Sequence, residues 1–458
     1  MIVTSYGFLL FFLPLTLFLY WRTRRKLLLL CIASHLFYAL GGLVFIPLLI
    51  GLSAATYGLA LRRQFGWGIV LNLNALAFFK YWNFGAESLN TLGRTLGMTG
   101  LLPLLSLALP LGISFFVFKH IGYLLDIRGN RYPPTTNLLL FLTYSAFFPQ
   151  ISAGPMSVSD DTLKQLANLP DRIGLERVYQ GVVSISVGLV KKVLVADTLT
   201  TALQAGLFAP EAAPTGLIWA WGSVVMYALQ LYFDFSSYTD IALGIGILLG
   251  VTLPPNFNNP YLATSPADFW RRWHISLSTW FRFYLFFPLS RSLLKRWGSR
   301  RSEAAQYAAN FATMGLIGLW HGAGWGFVLW GLYHGLLLNL FAWAKRRKIA
   351  VEGHVVLLLS VLVGWALFLS PTLAFAGHLL ANMGGLYGLG SLEQFTQLYS
   401  PISLLTLAAA LLITLTGRVE AANLPPLTRP AYALTLGALT VLCLIHLGSA
   451  SQFIYVQF

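Results

Sequence analysis

The stretch Ile317–Gly326, IGLWHGAGWG, places a histidine where an apolar helix meets a run of glycines. From Phe311 to Trp320 there is no charge, and after Gly326 the apolar residues resume. Gly322, Gly324 and Gly326 free backbone N–H and C=O groups that hydrocarbon cannot satisfy. Such a break is tolerated at membrane depth only inside protein or beside a water-filled cavity. His321 is therefore expected at the broken end of a helix, deep in a membrane and facing a cavity. An imidazole with an ordinary pKa of about 6.5 can take a proton from a hydroxyl as that hydroxyl attacks. The alternative is a satisfied structural histidine on an apolar face.

The whole chain supports the membrane reading. Of 458 residues, 57% are hydrophobic and only 10% charged, with a mean hydropathy of +0.70. A soluble protein of this size needs more charge to solvate its surface. Apolar runs recur from near residue 11 to near residue 440. At ~20 residues per span they amount to about 11–13 segments, some of them half-length or parts of one broken helix. The expected fold is all-α and polytopic, one integral membrane domain over residues 1–458. Two of the expected segments centre near residues 225 and 245. The first run ends at Arg22–Lys26, RTRRK. It lacks a basic leader and a small-residue cleavage site, so it reads as an uncleaved span with its basic end cytosolic and the N-terminus outside.

The formal charge of +15 is concentrated. Pro266–Arg301 holds eight Lys/Arg residues and one acid, Asp268, and Lys345–Lys348 reads KRRK. Such clusters suit cytosolic loops against anionic membrane lipid, and also an anionic cytosolic substrate. Nucleic acid is excluded as a partner, because the basic residues flank membrane segments rather than a soluble face. Cys31 and Cys443 lie in apolar runs and outline neither a metal site nor a disulfide framework. Ser157–Gln180, Asn83–Gly100 and Asn382–Gln397 read as polar or glycine-rich connectors, the first with a short amphipathic helix.

Ser265–Leu289, SPADFWRRWHISLSTWFRFYLFFPL, carries helix-start signals: Ser265 as cap, Pro266 in the first turn and Asp268 at the third position. Read as one helix ending at Pro288, it puts Trp270, Trp273, Leu277, Phe281 and Tyr284 on one face. Arg271, His274, Ser278 and Arg282 fall on another. That polar stripe fits an interfacial helix, a cavity lining with His274 at work in it, or both. Upstream, Asp234 and Asp240 are acids in an apolar stretch, expected to face a cavity or to pair with arginines such as Arg271 or Arg272. His334 is suited to a hydrogen bond within the bundle. His35, His120, His354, His378 and His446 have no supporting constellation.

Several of these stretches resemble the membrane-bound O-acyltransferase superfamily, and most nearly its alginate O-acetylation branch. They are YFDFSSYTDIALGIG (Tyr232–Gly246), NFNNPYLATSPADFWRRWHISLSTWFR (Asn256–Arg282) and GLWHGAGWGFVLWGLYHG (Gly318–Gly335). Leu109–Gly129, Phe147–Pro155 and Gly188–Asp197 fit it too. The resemblance implies a ring of about 11 spanning helices, with short re-entrant or interfacial helices, around a central tunnel. It implies that His321 is the catalytic histidine and His274 the other histidine of the motif, with Asp234, Asp240, Asn256, Trp320 and Ser278 structural or tunnel-lining. Phe283 stands where the family often has an aspartate, and Lys119 and Gln150 where relatives often have glutamine and histidine.

For function, the resemblance implies an inner-membrane O-acetyltransferase with no permanently bound cofactor and no metal. Acetyl-CoA would be the donor, and a periplasmic acetyltransferase partner and a polysaccharide the receivers. Arg271, Arg272 and Arg282 would hold the phosphates of CoA, since a guanidinium grips phosphate as a fork. The rival readings are D-alanyl or other acyl transfer from a carrier protein, a lipid acceptor, or a transporter of polymer or lipid-linked sugar.

Overall fold

A computed structural model of the chain describes residues 3–98, 102–156, 159–208, 215–423, 430–449, 451 and 453. It is all-helical: no β-strand occurs among the described residues. The chain falls into two compact units. The first consists mainly of Gly7–Val178 with Ile245–Pro254, and the second mainly of Tyr179–Gly244 with Pro255–Phe458.

By length and composition, Lys26–Leu61 and Trp325–Arg346 are stretches able to cross a bilayer. The bent pair Leu392–Leu398 and Pro401–Thr416 makes a possible third. Other apolar runs form shorter helices, among them His354–Leu369 and Pro430–His446. The segments expected near residues 225 and 245 are one helix, Leu217–Leu249. With 33 residues it is about 50 Å long at ~1.5 Å per residue, well over the ~30 Å of hydrocarbon. Asn83–Gly100, read as a connector, lies largely in a helix, Trp82–Thr95. Its apolar residues recur at helical spacing, which the polar composition hides.

In the first unit, Ile113–Arg128 is buried along almost its whole length. It carries a polar network that the sequence did not reveal. The His120 ring meets Asn72 Oδ1 at 2.9 Å and Ser145 Oγ at 2.9 Å. Asn72 Nδ2 donates to Thr56 Oγ1 at 2.8 Å. Lys119 Nζ donates to the Tyr144 carbonyl and to Gln150 Oε1. His120 is thus a satisfied structural histidine.

The second unit is organised on a hairpin of two helices, Ser302–His321 and Trp325–Arg346. Their backbones touch. A Cβ on Gly331 would lie 2.2 Å from the Met314 carbonyl oxygen, and one on Gly318 would lie 2.1 Å from that of Phe327. Only glycine allows this approach. The same unit buries an ion network on the long helix. Lys191 pairs with Asp240. Lys192 Nζ lies 2.7 Å from Asp234 and 2.9 Å from Asp197. The partners expected for the two aspartates, Arg271 and Arg272, go elsewhere. The reason is proximity along packed helices: a Cβ on Gly188 would lie 2.7 Å from the Ser237 carbonyl, so the lysine helix and the aspartate helix are in backbone contact.

Candidate active site

Every residue of the site belongs to the second unit. The helix expected over Ser265–Leu289 starts as its caps dictate: Ser265 Oγ accepts the Asp268 N–H at 3.3 Å, with Pro266 in the first turn. It then breaks. Pro266–Arg272 is followed by Ile275–Phe281, and the chain runs on through a π-turn, Arg282–Phe286, into Phe287–Trp297. Pro288 does not end it, because a proline in the first turn of Phe287–Trp297 has no N–H bond to lose.

The break lies at His274, whose φ of +43° is in the left-handed region. The loop before the helix stabilises this kink. Asn256 accepts the Ile275 N–H on its carbonyl at 2.9 Å and the Ser276 hydroxyl on its side chain at 2.6 Å. The Asn258 N–H donates to the Arg272 carbonyl at 3.0 Å. Asn256 is therefore a structural clamp on the His274 turn. The clamp also divides the polar stripe. His274 turns inward and is fully buried, its ring 4.6 Å from Phe235 and 5.9 Å from Trp320.

His321 ends its helix as the glycine run foretells. A Cβ on Gly322 would meet the Phe327 ring at 2.1 Å, so the chain leaves His321 under an aromatic lid. The imidazole is almost wholly buried, edge-on to Trp330 at 5.2 Å and to Phe368 at 5.4 Å. The two histidine rings are 6.2 Å apart, centroid to centroid. Residues 47 positions apart in the chain, His274 and His321, thus share one aromatic chamber. His334 packs differently from expectation. It stacks on Phe269 at 6.3 Å and meets Trp270 at 5.2 Å, and its ring nitrogens have no hydrogen-bond partner among the described residues.

The rest of the stripe lines a cavity of about 200 Å³. Arg271, Ser278 and Arg282 reach it, with Asn310 and Thr313 opposite and Trp270, Phe281 and Met314 as apolar wall. Arg272 does not line it: its guanidinium donates to Asp268 at 3.0 Å and to the Asn258 carbonyl at 3.4 Å. Arg271 also touches Asp268, at 3.3 Å. Burial works to raise the Asp268 pKa, but the hydrogen bonds and charges of Arg272 and Arg271 outweigh it and hold the carboxyl below its usual range. A pocket with cationic rim and apolar wall suits a molecule that joins anionic groups to a thin apolar arm.

Sequence reasoning missed Glu420. It is buried, accepts the Tyr232 hydroxyl, and accepts the Asn259 N–H at 3.0 Å. It fixes the loop that clamps His274 onto the long helix. An acid 161 residues away from Asn259 left no local signal. Among the described residues no three His, Cys, Asp or Glu side chains come together as a metal-holding group.

The sequence model of the membrane-bound O-acyltransferase family, MBOAT, matches residues 105–376. That span includes both histidines of the chamber. A probable alginate O-acetylase AlgI of Pseudomonas aeruginosa is 38% identical over 401 residues, covering 84% of this chain and 75% of the relative. A peptidoglycan O-acetyltransferase of Helicobacter pylori is 33% identical, covering 78% of this chain and 74% of its own. A teichoic acid D-alanyltransferase of Bacillus subtilis is 29% identical over 55% of this chain and 65% of the relative.

Proposed function

We propose that this chain, which belongs to the membrane-bound O-acyltransferase family and is an O-acyltransferase, moves an acetyl group from cytosolic acetyl-CoA toward an extracytoplasmic polysaccharide. The observation that carries this reading is the buried pair His274 and His321 at two helix breaks; neither ring lines the cavity rimmed by Arg271 and Arg282, but Ser278 and Ile317, one helical turn from each, do. His321 is the general base. It takes the proton of the acceptor hydroxyl as that oxygen forms its bond to the thioester carbonyl carbon. The carbon–sulfur bond then breaks, the ester leaves, and CoA departs as the thiol with the proton returned from the imidazole. A positioned base contributes about 10²–10⁴-fold. The remaining acceleration comes from holding donor and acceptor end to end in a tunnel through the protein. His274 polarises or positions a reactant, and Arg271 and Arg282 hold CoA phosphates, with Arg272 bracing Asp268 behind them.

The chain lies in the cytoplasmic membrane with the basic residues from Arg271 to Arg301 at the cytosolic mouth, where they attract the anionic donor. A periplasmic partner completes transfer to the polymer. The names of the relatives support a polysaccharide acceptor. The deciding experiment is incubation of the purified chain, with and without a polysaccharide acceptor, with labelled acetyl-CoA and, separately, with a D-alanyl carrier protein. Label transferred from acetyl-CoA alone supports the proposal. Transfer only from the carrier protein overturns the donor, and transfer from neither assigns the chain a different acyl donor.

A further inference from the structure

The first unit holds a second cationic cleft, outside the residues proposed for acyl transfer. It is a cavity of about 480 Å³ lined by Arg63, Gln64, Trp67, Val70 and Arg128 among others, and no carboxylate among the described residues lines it. Packing of two helices builds it. A Cβ on Gly68 would lie 2.7 Å from Leu124, and Asn72 bonds His120, so Phe65–Leu76 runs antiparallel to Ile113–Arg128. Pairs 68 with 124 and 72 with 120 extend by one turn to 64 with 128. The register alone therefore brings Arg128 beside the Arg63–Gln64 turn.

That turn is costly for arginine. The Gln64 N–H bonds the Leu59 carbonyl at 2.8 Å and the Arg63 N–H bonds that of Ala60 at 3.0 Å, a helix-ending loop whose left-handed residue is ordinarily glycine. Here that residue is Arg63, at φ +55°. Neither the Arg63 nor the Arg128 side chain has an ion-pair or hydrogen-bond partner among the described residues. The nearest acid in sequence to Arg128, Asp126, is taken by Arg131 at 2.6 Å. Beside the two guanidinium groups stand Trp67, 70% exposed, and Val70, 46% exposed. The cleft directly follows the apolar stretch Lys26–Leu61. Unpaired guanidinium groups at the end of an apolar segment, with an exposed indole and an aliphatic wall, match a phosphate head joined to acyl chains.

We propose that this cleft binds the phosphodiester headgroup of an anionic membrane phospholipid. The two arginines fork the phosphate, and Trp67 and Val70 lie along the glycerol and the first methylenes. Two readings oppose it: Arg128 serves only the dipole of its helix end, or the cleft takes a soluble phosphate compound. The test is native mass spectrometry of the full chain in neutral detergent, titrated with dioleoyl phosphatidylglycerol and, in parallel, with dioleoyl phosphatidylcholine. Arg63→Gly is the informative variant, because glycine relieves the left-handed backbone and leaves folding unharmed. The expected result is one tightly held phosphatidylglycerol, not matched by phosphatidylcholine. Its apparent Kd rises roughly 5-fold in Arg63→Gly and roughly 10- to 30-fold in Arg63→Gly/Arg128→Gln, at about a factor of five per basic residue. Equal retention of both lipids, or an unchanged Kd in Arg63→Gly, overturns the proposal. Displacement of the lipid by equimolar inorganic phosphate or acetyl-CoA assigns the cleft to a soluble anion instead.

Discussion

His321 and His274 are both buried in aromatic surroundings, but their backbones differ. His321 closes a regular helix, whereas His274 is held in a left-handed turn by Asn256. Truncating His321 to alanine removes the proposed base and leaves the helix intact. His321→Ala should thus lose about 10²–10⁴-fold in turnover with an unchanged size-exclusion profile; near-normal turnover would remove the imidazole from the chemistry. The arginines divide in the same way. Arg271→Ala and Arg282→Ala should weaken acetyl-CoA binding and its salt sensitivity. Arg272→Ala should lower stability first, since it unties Asp268 and the Asn258 carbonyl. Isothermal titration of the folded fraction separates the two outcomes, and equal loss of donor affinity in all three variants contradicts the division. The Asp268 carboxyl adds a pH dependence. Its native pKa is held below the unfolded one. Its stabilisation is therefore complete above the unfolded value, about 3.9, and is lost as pH falls through the lower native value. The penalty of Asp268→Asn in thermal melts should be present at neutral pH and shrink toward zero in acid; a penalty that grows in acid contradicts the assignment.

At the scale of elements, the hairpin of Ser302–His321 and Trp325–Arg346 aims His321, and glycine–backbone contact sets its geometry. Gly331→Ala drives a Cβ against the Met314 carbonyl and should cost ~1–3 kcal/mol. Gly324→Ala, with only a ring carbon of Phe327 at 3.7 Å, should be nearly neutral. Melting curves of the two variants check this, and equal loss would mean that the close approach is not what holds the hairpin. Much of this element was legible in the sequence, because an uncharged helix, a histidine and a glycine run are all local signals. The broken helix around His274 was not. Its polar and apolar residues keep a 3.6-residue spacing through the break, so periodicity reads it as continuous. The kink comes from Asn256 and Asn258, outside the helix, and behind them from Glu420. Tertiary partners also explain the aspartates. An apolar stretch shows that Asp234 and Asp240 need cations, but the lysines that meet them lie 42 and 49 residues away in the chain.

Across the molecule, buried charge is compensated on the long helix Leu217–Leu249. Lys192 is fully buried between Asp234 and Asp197. Lys192→Ala would take the buried cation from both acids and should cost ~3–5 kcal/mol, read as a fall in the melting temperature in detergent; a change within error would place those carboxylates in contact with solvent. Function at this scale rests on one claim, that acetyl from cytosolic CoA reaches an acceptor on the other face through His321. Sealed vesicles carrying the oriented chain, with a candidate periplasmic acetyltransferase and a polysaccharide inside and labelled acetyl-CoA supplied only outside, test it directly. The expected result is labelled ester on the polysaccharide within the vesicles, absent with His321→Ala. Ester formed only on the donor side, or formed equally well without His321, would contradict it.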